Sequence, residues 1–397
     1  MTLLRYGQQW LDEEDISSVL KALRSNWITQ GPLIQQFEQA VARWCGARFG
    51  VAFSSGTAAL HAACFAAGVR EGDEVITSPL TFVATANAAV YLGGRPIFAD
   101  VEPQNLNLDP GQIRRRLTSR TKVLLPVHFA GLPCRMEEIH EIALEKDVCV
   151  IEDACHALGA EWSSSDGRRQ RVGNCSHSDM AVLSFHPVKH ITTGEGGMVL
   201  FNREDFLEPL RSFRHHGIVH GPDQEGKKEP WTSRMQDLGY NFRITDFQCA
   251  LGLSQLNKLE QFLRRRRQIA REYKNSFEEL GLWSQPLDPV NDGHAWHLFV
   301  VQLPLDHSAD YRRRVFESLR EDGVGVNVHY LPVHLHPFYQ RAFSYRAGDY
   351  PVAESYYERA LTLPLYPKLT DEQVRGIIQS VGRVLEREGA PHAERQL

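Results

Sequence analysis

The sequence predicts an α/β protein, with a large domain built on a mostly parallel sheet sandwiched by helices and a smaller C-terminal α/β domain. Three observations predict it. Short apolar runs alternate with helical patterns from residue 51 to about residue 200, the rhythm of repeated βαβ units. Polar turns follow the carboxyl ends of several of these runs, where ligands collect in open α/β sheets. A chain of 397 residues also exceeds what one ordinary core serves, which favours two domains.

Taken in order, Asp12 with Asp15 three residues on caps a first helix, whose apolar stripe is Ile16, Val19, Leu20 and Leu23. A second helix starts at Pro32 and carries Phe37, Val41 and Trp44. The strand VAFSS from Val51 precedes the small-residue helix TAALHAACFAAG, and EVITS from Glu74 precedes TFVATANAAVYLGG. PIFADV, KVLLPVHFA and VCVIEDA follow at similar intervals, and MAVLSF from Met180 and GGMVLF from Gly196 are two further strands. After Ile244 one long helical stretch, TDFQCALGLSQLNKLEQFLRRRRQIAREYKNSFEEL, connects the domains, with the boundary near residue 255: 1–255 large, 256–397 small. Strands near 297–303 and 324–330 and helices near 312–319 and 371–385 complete the small domain.

Composition narrows the function. Charged residues at 23% and a net charge of −5 describe a soluble globular chain without the basic footprint of a nucleic-acid binder. The arginine runs at 264–267 and 312–314 read as solvated helix faces. Seven dispersed cysteines without a C-x-x-C pair read as reduced thiols. No segment is long and apolar enough to span a bilayer, and MTLLRYGQQWLDEED is not a leader, so a cytoplasmic protein is expected.

The chemistry-bearing residues sit after strands. Ser55, Gly56 and Thr57 open a helix whose free N–H groups suit a phosphate, although an ordinary Ser cap has the same look. Phe82 starts the next helix, where an aromatic ring is either core or a lid over a planar ligand. Asp153, three residues before His156, ends a strand. A carboxylate there needs backbone donors or a cation such as a protonated ring nitrogen. In SFHPVKHITTGEGG, residues 184–197, Lys189 stands between a strand and a glycine-rich turn. Burial lowers a lysine from about 10.4 toward roughly 7–8, which makes it a nucleophile or a base.

That order of motifs resembles the fold-type I pyridoxal phosphate enzymes (aspartate aminotransferase-like), and SSGTAALH, EDACHALGA, SFHPVKHITTGEGG and GYNFRITDFQ are similar to the DegT/StrS sugar aminotransferases over nearly the whole chain. YGQQW, WITQGP, SPLTFVATANA and VNVHYLPVHLHPFY look most like the pseudaminic-acid-pathway C4 aminotransferases, which act on a UDP-linked 4-keto-6-deoxy-N-acetylhexosamine. The resemblance implies pyridoxal 5'-phosphate as cofactor, glutamate as amino donor, and a homodimer with shared active sites. It makes Lys189 the Schiff-base lysine, Asp153 the partner of the pyridine nitrogen, and His156 a neighbour of the ring hydroxyl. Gly56, Thr57 and Ser184 match phosphate-binding positions, Phe82 the stacking aromatic, and Asn241 a phosphate ligand reaching from the other subunit. Tyr6, Thr29, His329 and Tyr330 fall in stretches that border the sugar nucleotide. Cys155 and His190 depart from the commonest pattern without replacing any of these.

Other readings compete. Sugar dehydratases on the same scaffold carry a histidine at the lysine position, and here His190 is one place out of register. The turn GEGG precedes a strand rather than opening a helix, unlike a dinucleotide fingerprint. His329, His334 and His336 are interrupted by Pro332 and lack a nearby cysteine, which suits a substrate loop better than a zinc site.

Overall fold

The computed structural model describes residues 3–219, 231–286, 293–304 and 310–389. Local chemistry sets the early elements. Helix α1 (Glu13–Leu23) is closed by the capping box between Asp12 and Asp15, and α2 (Pro32–Cys45) has proline in its first turn and Gly46 at φ +89° past its end. Nine strands follow: β1 (Phe49–Phe53), β2 (Glu74–Thr77), β3 (Arg95–Phe98), β4 (Thr121–Leu125), β5 (Cys149–Asp153), β6 (Glu161–Ser163), β7 (Arg169–Arg171), β8 (Met180–Ser184) and β9 (Gly197–Phe201). Between them, α3 (Gly56–Ala66) follows β1, and α4 (Val83–Val90) follows β2.

Seven of these strands form the central sheet in the order β1-β9-β8-β5-β4-β2-β3, while β6 and β7 make a separate hairpin. From β8 to β3 every pairing is parallel, and β9 runs antiparallel to both β8 and β1. All five residues of β9 are buried, as a strand covered on both faces requires. One apolar cluster, around Phe37, Leu183 and Ile244, packs on one side of the sheet, and another, around Leu60, Val75 and Val182, on the other. A three-stranded antiparallel sheet, Trp283–Ser284, Phe299–Gln302 and Ala360–Leu363, packs with helices Tyr311–Glu321 and Asp371–Glu388 around a core of its own.

Four expectations need correction. The helical stretch after Ile244 is two helices, Asp246–Leu256 and Leu259–Glu278, broken where Lys258 turns to reach Asp15 Oδ2 at 3.0 Å. The expected strand at 324–330 reduces to bridges from Val324 to Leu4 and from Asn327 to Thr362. The stripe on α1 does not face the core: Ile16, Leu20 and Leu23 are 46%, 43% and 50% exposed. The helix docks instead through Ala22 and buried Asp15, which accepts from Gln255 at 2.7 Å as well as from Lys258, so specific polar contacts override the hydrophobic periodicity. Finally, the arginine run at 264–267 is solvated only at Arg264. Arg266 is 1% exposed, and its guanidinium donates to the carbonyls of Trp296, His297 and Leu365 at 2.9–3.2 Å. Arg267 donates to His294 and Gly159 carbonyls, and Arg265 to that of Leu369. Charge composition cannot reveal carbonyl oxygens that tertiary structure gathers.

Candidate active site

A cavity of about 530 Å³ opens at the carboxyl ends of β1, β2, β5 and β8, between the sheet and the segment 327–330. Ten of the twelve residues singled out in the sequence line it: Tyr6, Gly56, Thr57, Phe82, Asp153, His156, Ser184, Lys189, His329 and Tyr330. Thr29 and Asn241 do not line it. Thr29 pairs with Thr245, and Asn241 with His215, and both are exposed.

Helix α3 presents its N-terminus to the cavity because Ser55 caps it, accepting from the Ala58 N–H at 3.1 Å. The next N–H groups, of Gly56 and Thr57, belong to the first turn and have no intrahelical acceptor. Close approach requires the glycines here. A Cβ on Gly56 would lie 3.0 Å from the Ser184 Cβ, and one on Gly197 would lie 2.4 Å from the Ser55 carbonyl oxygen. Ser184 is thereby held beside the helix start.

Asp153 ends β5 and is buried. Its Oδ2 accepts from the Thr85 hydroxyl at 2.7 Å and its Oδ1 from the Cys155 N–H at 3.1 Å; Thr85 in turn lies 2.7 Å from Thr81. These bonds fix the carboxylate without neutralising it. Among the described residues no ion pair to Asp153 is formed, so the cavity contains a buried carboxyl group without a cationic partner, a setting suited to a cationic guest.

Lys189 sits in the turn between β8 and β9. The Thr193 N–H and the Thr192 hydroxyl both donate to the Phe185 carbonyl at 3.0 Å, the Lys189 N–H donates to His186 at 2.9 Å, and Gly194 takes φ +79°. Burial pushes the amine below its ordinary value, against the pull of Cys155 and Asp153, and Arg266 adds to the lowering. The amine lies 3.4 Å from His297 Nε2. Burial, with the charges of Lys189, His329 and His190, also holds His156 well below its usual value. A neutral His156 meets the Tyr330 hydroxyl at 3.2 Å through Nε2, and its buried Nδ1 has no partner among the described residues. His329, taken down to about 3 by burial, bonds Thr362 at 2.9 Å, and its ring lies 4.9 Å from that of Tyr6. Phe82, 56% exposed, edges the mouth with its ring 6.2 Å from Tyr330. His334 is turned away and bonds Glu354 at 2.9 Å.

Sequence reasoning missed Thr85, Glu195, His297 and Asn327 on the cavity wall. The spacing of Thr81 and Thr85 by four on a helix start was a usable signal for a shared face. For His297, 108 residues from Lys189 in the chain and two residues before the strand Phe299–Gln302, no local signal exists.

Pyridoxal 5'-phosphate fits this donor set. An uncapped pair of N–H groups and Ser184 suit its phosphate, the unpaired Asp153 suits a protonated pyridine nitrogen, the free Nδ1 of His156 is available to a polar substituent, and the depressed amine of Lys189 suits its carbonyl.

The comparisons agree in family. The model of the DegT/DnrJ/EryC1/StrS aminotransferase family matches residues 9–382. The spore coat polysaccharide biosynthesis protein SpsC of Bacillus subtilis is 37% identical, covering 95% of this chain and 96% of its own length. PseC of Helicobacter pylori, an aminotransferase in the biosynthesis of pseudaminic acid, superposes with a TM-score of 0.87 at 30% identity, over 97% of this chain and 100% of that one. Spr1654 of Streptococcus pneumoniae in its PLP form superposes with a TM-score of 0.89 at 26% identity, over 98% and 100%.

Proposed function

Because this chain belongs to the DegT/DnrJ/EryC1/StrS aminotransferase family and is a PLP-dependent sugar aminotransferase, we propose that it moves the amino group of glutamate to C4 of a UDP-linked 4-keto-6-deoxy-N-acetylhexosamine of the pseudaminic acid pathway. The likeness to PseC carries this reading. The segment 327–330 supports it by bringing Asn327, His329 and Tyr330, with Tyr6, to the cavity wall opposite α3. The likeness to SpsC favours a second reading, C4 amination of a different 4-keto-6-deoxy sugar nucleotide.

When bound, the cofactor supplies an electrophilic carbon and a ring that accepts electrons as a proton leaves the donor's α-carbon. The chain supplies the rest. Lys189 provides the amine that is freed to take up and return that proton, and its lowered basicity keeps a useful neutral fraction. Asp153 keeps the ring nitrogen protonated, since an adjacent opposite charge shifts a pKa by about 1–3 units. Gly56, Thr57 and Ser184 bind the phosphate, His156 orients the ring hydroxyl, and Phe82 covers the ring face.

With UDP-linked and dTDP-linked 4-keto and 3-keto sugars offered in parallel, and the aminated product identified by mass spectrometry and NMR, the UDP-linked 4-keto-N-acetyl sugar should have the highest kcat/KM. Equal or better turnover of a dTDP-linked 3-keto sugar would remove both readings.

The working form in this proposal is a homodimer in which Asn241 serves the phosphate of the partner's site. Its exposed position outside its own cavity and the uncovered apolar run of Ile16, Leu20, Leu23, Trp27 and Ile28 support a second copy packing here. Losing one hydrogen bond to a charged group costs about 1.5–3 kcal/mol, so Asn241→Ala should weaken cofactor binding about tenfold or more. After verified subunit exchange with Lys189→Ala, random pairing restores about a quarter of the sites. Activity at limiting cofactor should then exceed the mean of the two parents; an activity equal to that mean refutes the shared site.

A further inference from the structure

We propose that His297 is a positioning residue for Lys189: whenever the amine is free and protonated, the neutral imidazole accepts one of its N–H bonds through Nε2 and fixes where the amine waits. The inference rests on the reading of Lys189 as the imine-forming residue. His297 is buried at the floor of the cavity, and its Nε2 lies 3.4 Å from the Lys189 amine. The separation is built into the backbone. The His297 N–H donates to the Ala130 carbonyl at 2.8 Å. The guanidinium of Arg266 then donates to the His297 carbonyl at 3.2 Å and, through its other nitrogen, to that of Val188 at 3.5 Å. One buried cation therefore ties the residue beside Lys189 to the residue that faces its amine.

An ammonium has no lone pair, so toward it the imidazole can only accept. The groups around the pair are Asp153 and Cys155 at the end of β5, His156 just beyond, His186 and His190 from the lysine's own turn, His329 from the opposite wall, and Arg266 behind. Burial together with the positive charges of Lys189 and Arg266 holds His297 well below its ordinary value, so the ring is neutral; in the proposed tautomer its one proton sits on Nδ1, which is buried with no partner among the described residues, and Nε2 accepts. A hydrogen-bonded ammonium is favoured over a bare one, so removing the acceptor should make Lys189 easier to deprotonate while leaving its amine unaimed.

The test uses the full-length protein freed of cofactor. Trace acetylation across a pH series, quantified on the Lys189 peptide, gives the pH midpoint of the amine. The rate of imine formation with added pyridoxal 5'-phosphate, followed by absorbance, gives its aim. In His297→Phe the midpoint should fall by about one pH unit and imine formation at high pH should slow several-fold. His297→Gln keeps an acceptor and should recover most of both. If the Phe protein does not fold, His297→Met serves as the variant without an acceptor. A midpoint that stays put or rises in the variant without an acceptor overturns the inference, because a ring that merely fills space has no hold on that midpoint. Failure of the wild type to trap pyridoxal 5'-phosphate on Lys189 with borohydride overturns the lysine assignment itself; trapping with an unmoved midpoint overturns only the role of His297.

Discussion

Lys189→Ala should abolish transamination while leaving the fold in place, with turnover falling about a thousandfold or more, the scale on which a positioned acid–base group acts. Among the described residues Lys189 is the only lysine on the cavity wall, so no neighbouring amine there can take over. The substitution removes an amine that burial already disfavours in its charged state, and the hydrogen bonds that shape the turn come from Thr192, Thr193 and backbone groups rather than from this side chain. Far-UV circular dichroism and the melting temperature of the cofactor-free protein should therefore stay close to wild type. The purified wild type should be yellow and bleach on addition of glutamate, and the variant should do neither through this residue. Near-normal turnover by the alanine protein would sink the mechanism.

Asp153→Asn should keep the cofactor and lose most of the rate, by about a hundredfold, in line with losing roughly 1–3 pKa units of support for the protonated ring nitrogen. The local hydrogen bonds explain why the protein should tolerate the change. An amide can place its oxygen where Oδ1 accepts from the Cys155 N–H and its NH₂ where Oδ2 stood. Thr85 then accepts instead of donating and turns its own proton to Thr81, 2.7 Å away. The seat is preserved and the charge is gone. Stopped-flow measurement of the glutamate half-reaction separates the cases: a wild-type rate in the asparagine protein would show that Asp153 does not act on the ring nitrogen.

How much of this was legible in the sequence follows from what each residue depends on. The strands and the polar residues at their ends were readable, because apolar runs bounded by turns are local signals and β1 to β5, β8 and β9 all lie where those runs predicted. The cluster of Gly56, Asp153, Ser184 and Lys189 followed, since a parallel sheet brings successive strand ends to one edge. Arg266 and His297 were not readable. Their meaning lies in carbonyls and an amine contributed by segments far away in the chain. The exposed stripe of α1 was misread for a related reason: periodicity reports that a face is apolar, but not whether this chain or another surface covers it. The break at Lys258 has one weak local cue, Asn257 at the end of the first helix, and the carboxylates of Asp12 and Asp15 at the start of α1, which draw the lysine side chain aside, are far away in the chain.

The reversed strand β9 also governs when the site can exist. Phe53 at the end of β1 pairs with Gly197 at the start of β9, and β1 has no other neighbour in the sheet. During synthesis β1 therefore waits with both edges unsatisfied until β9 has been made, and contacts of such long sequence separation are slow to close. When β9 docks between β1 and β8, one event brings the start of α3 beside Ser184 and closes the turn that carries Lys189. A nascent chain stopped just short of residue 197 would already contain Gly56, Asp153, Ser184 and Lys189 without the strand that gathers them, and the opposite wall, from His297 and residues 327–330, is made later still.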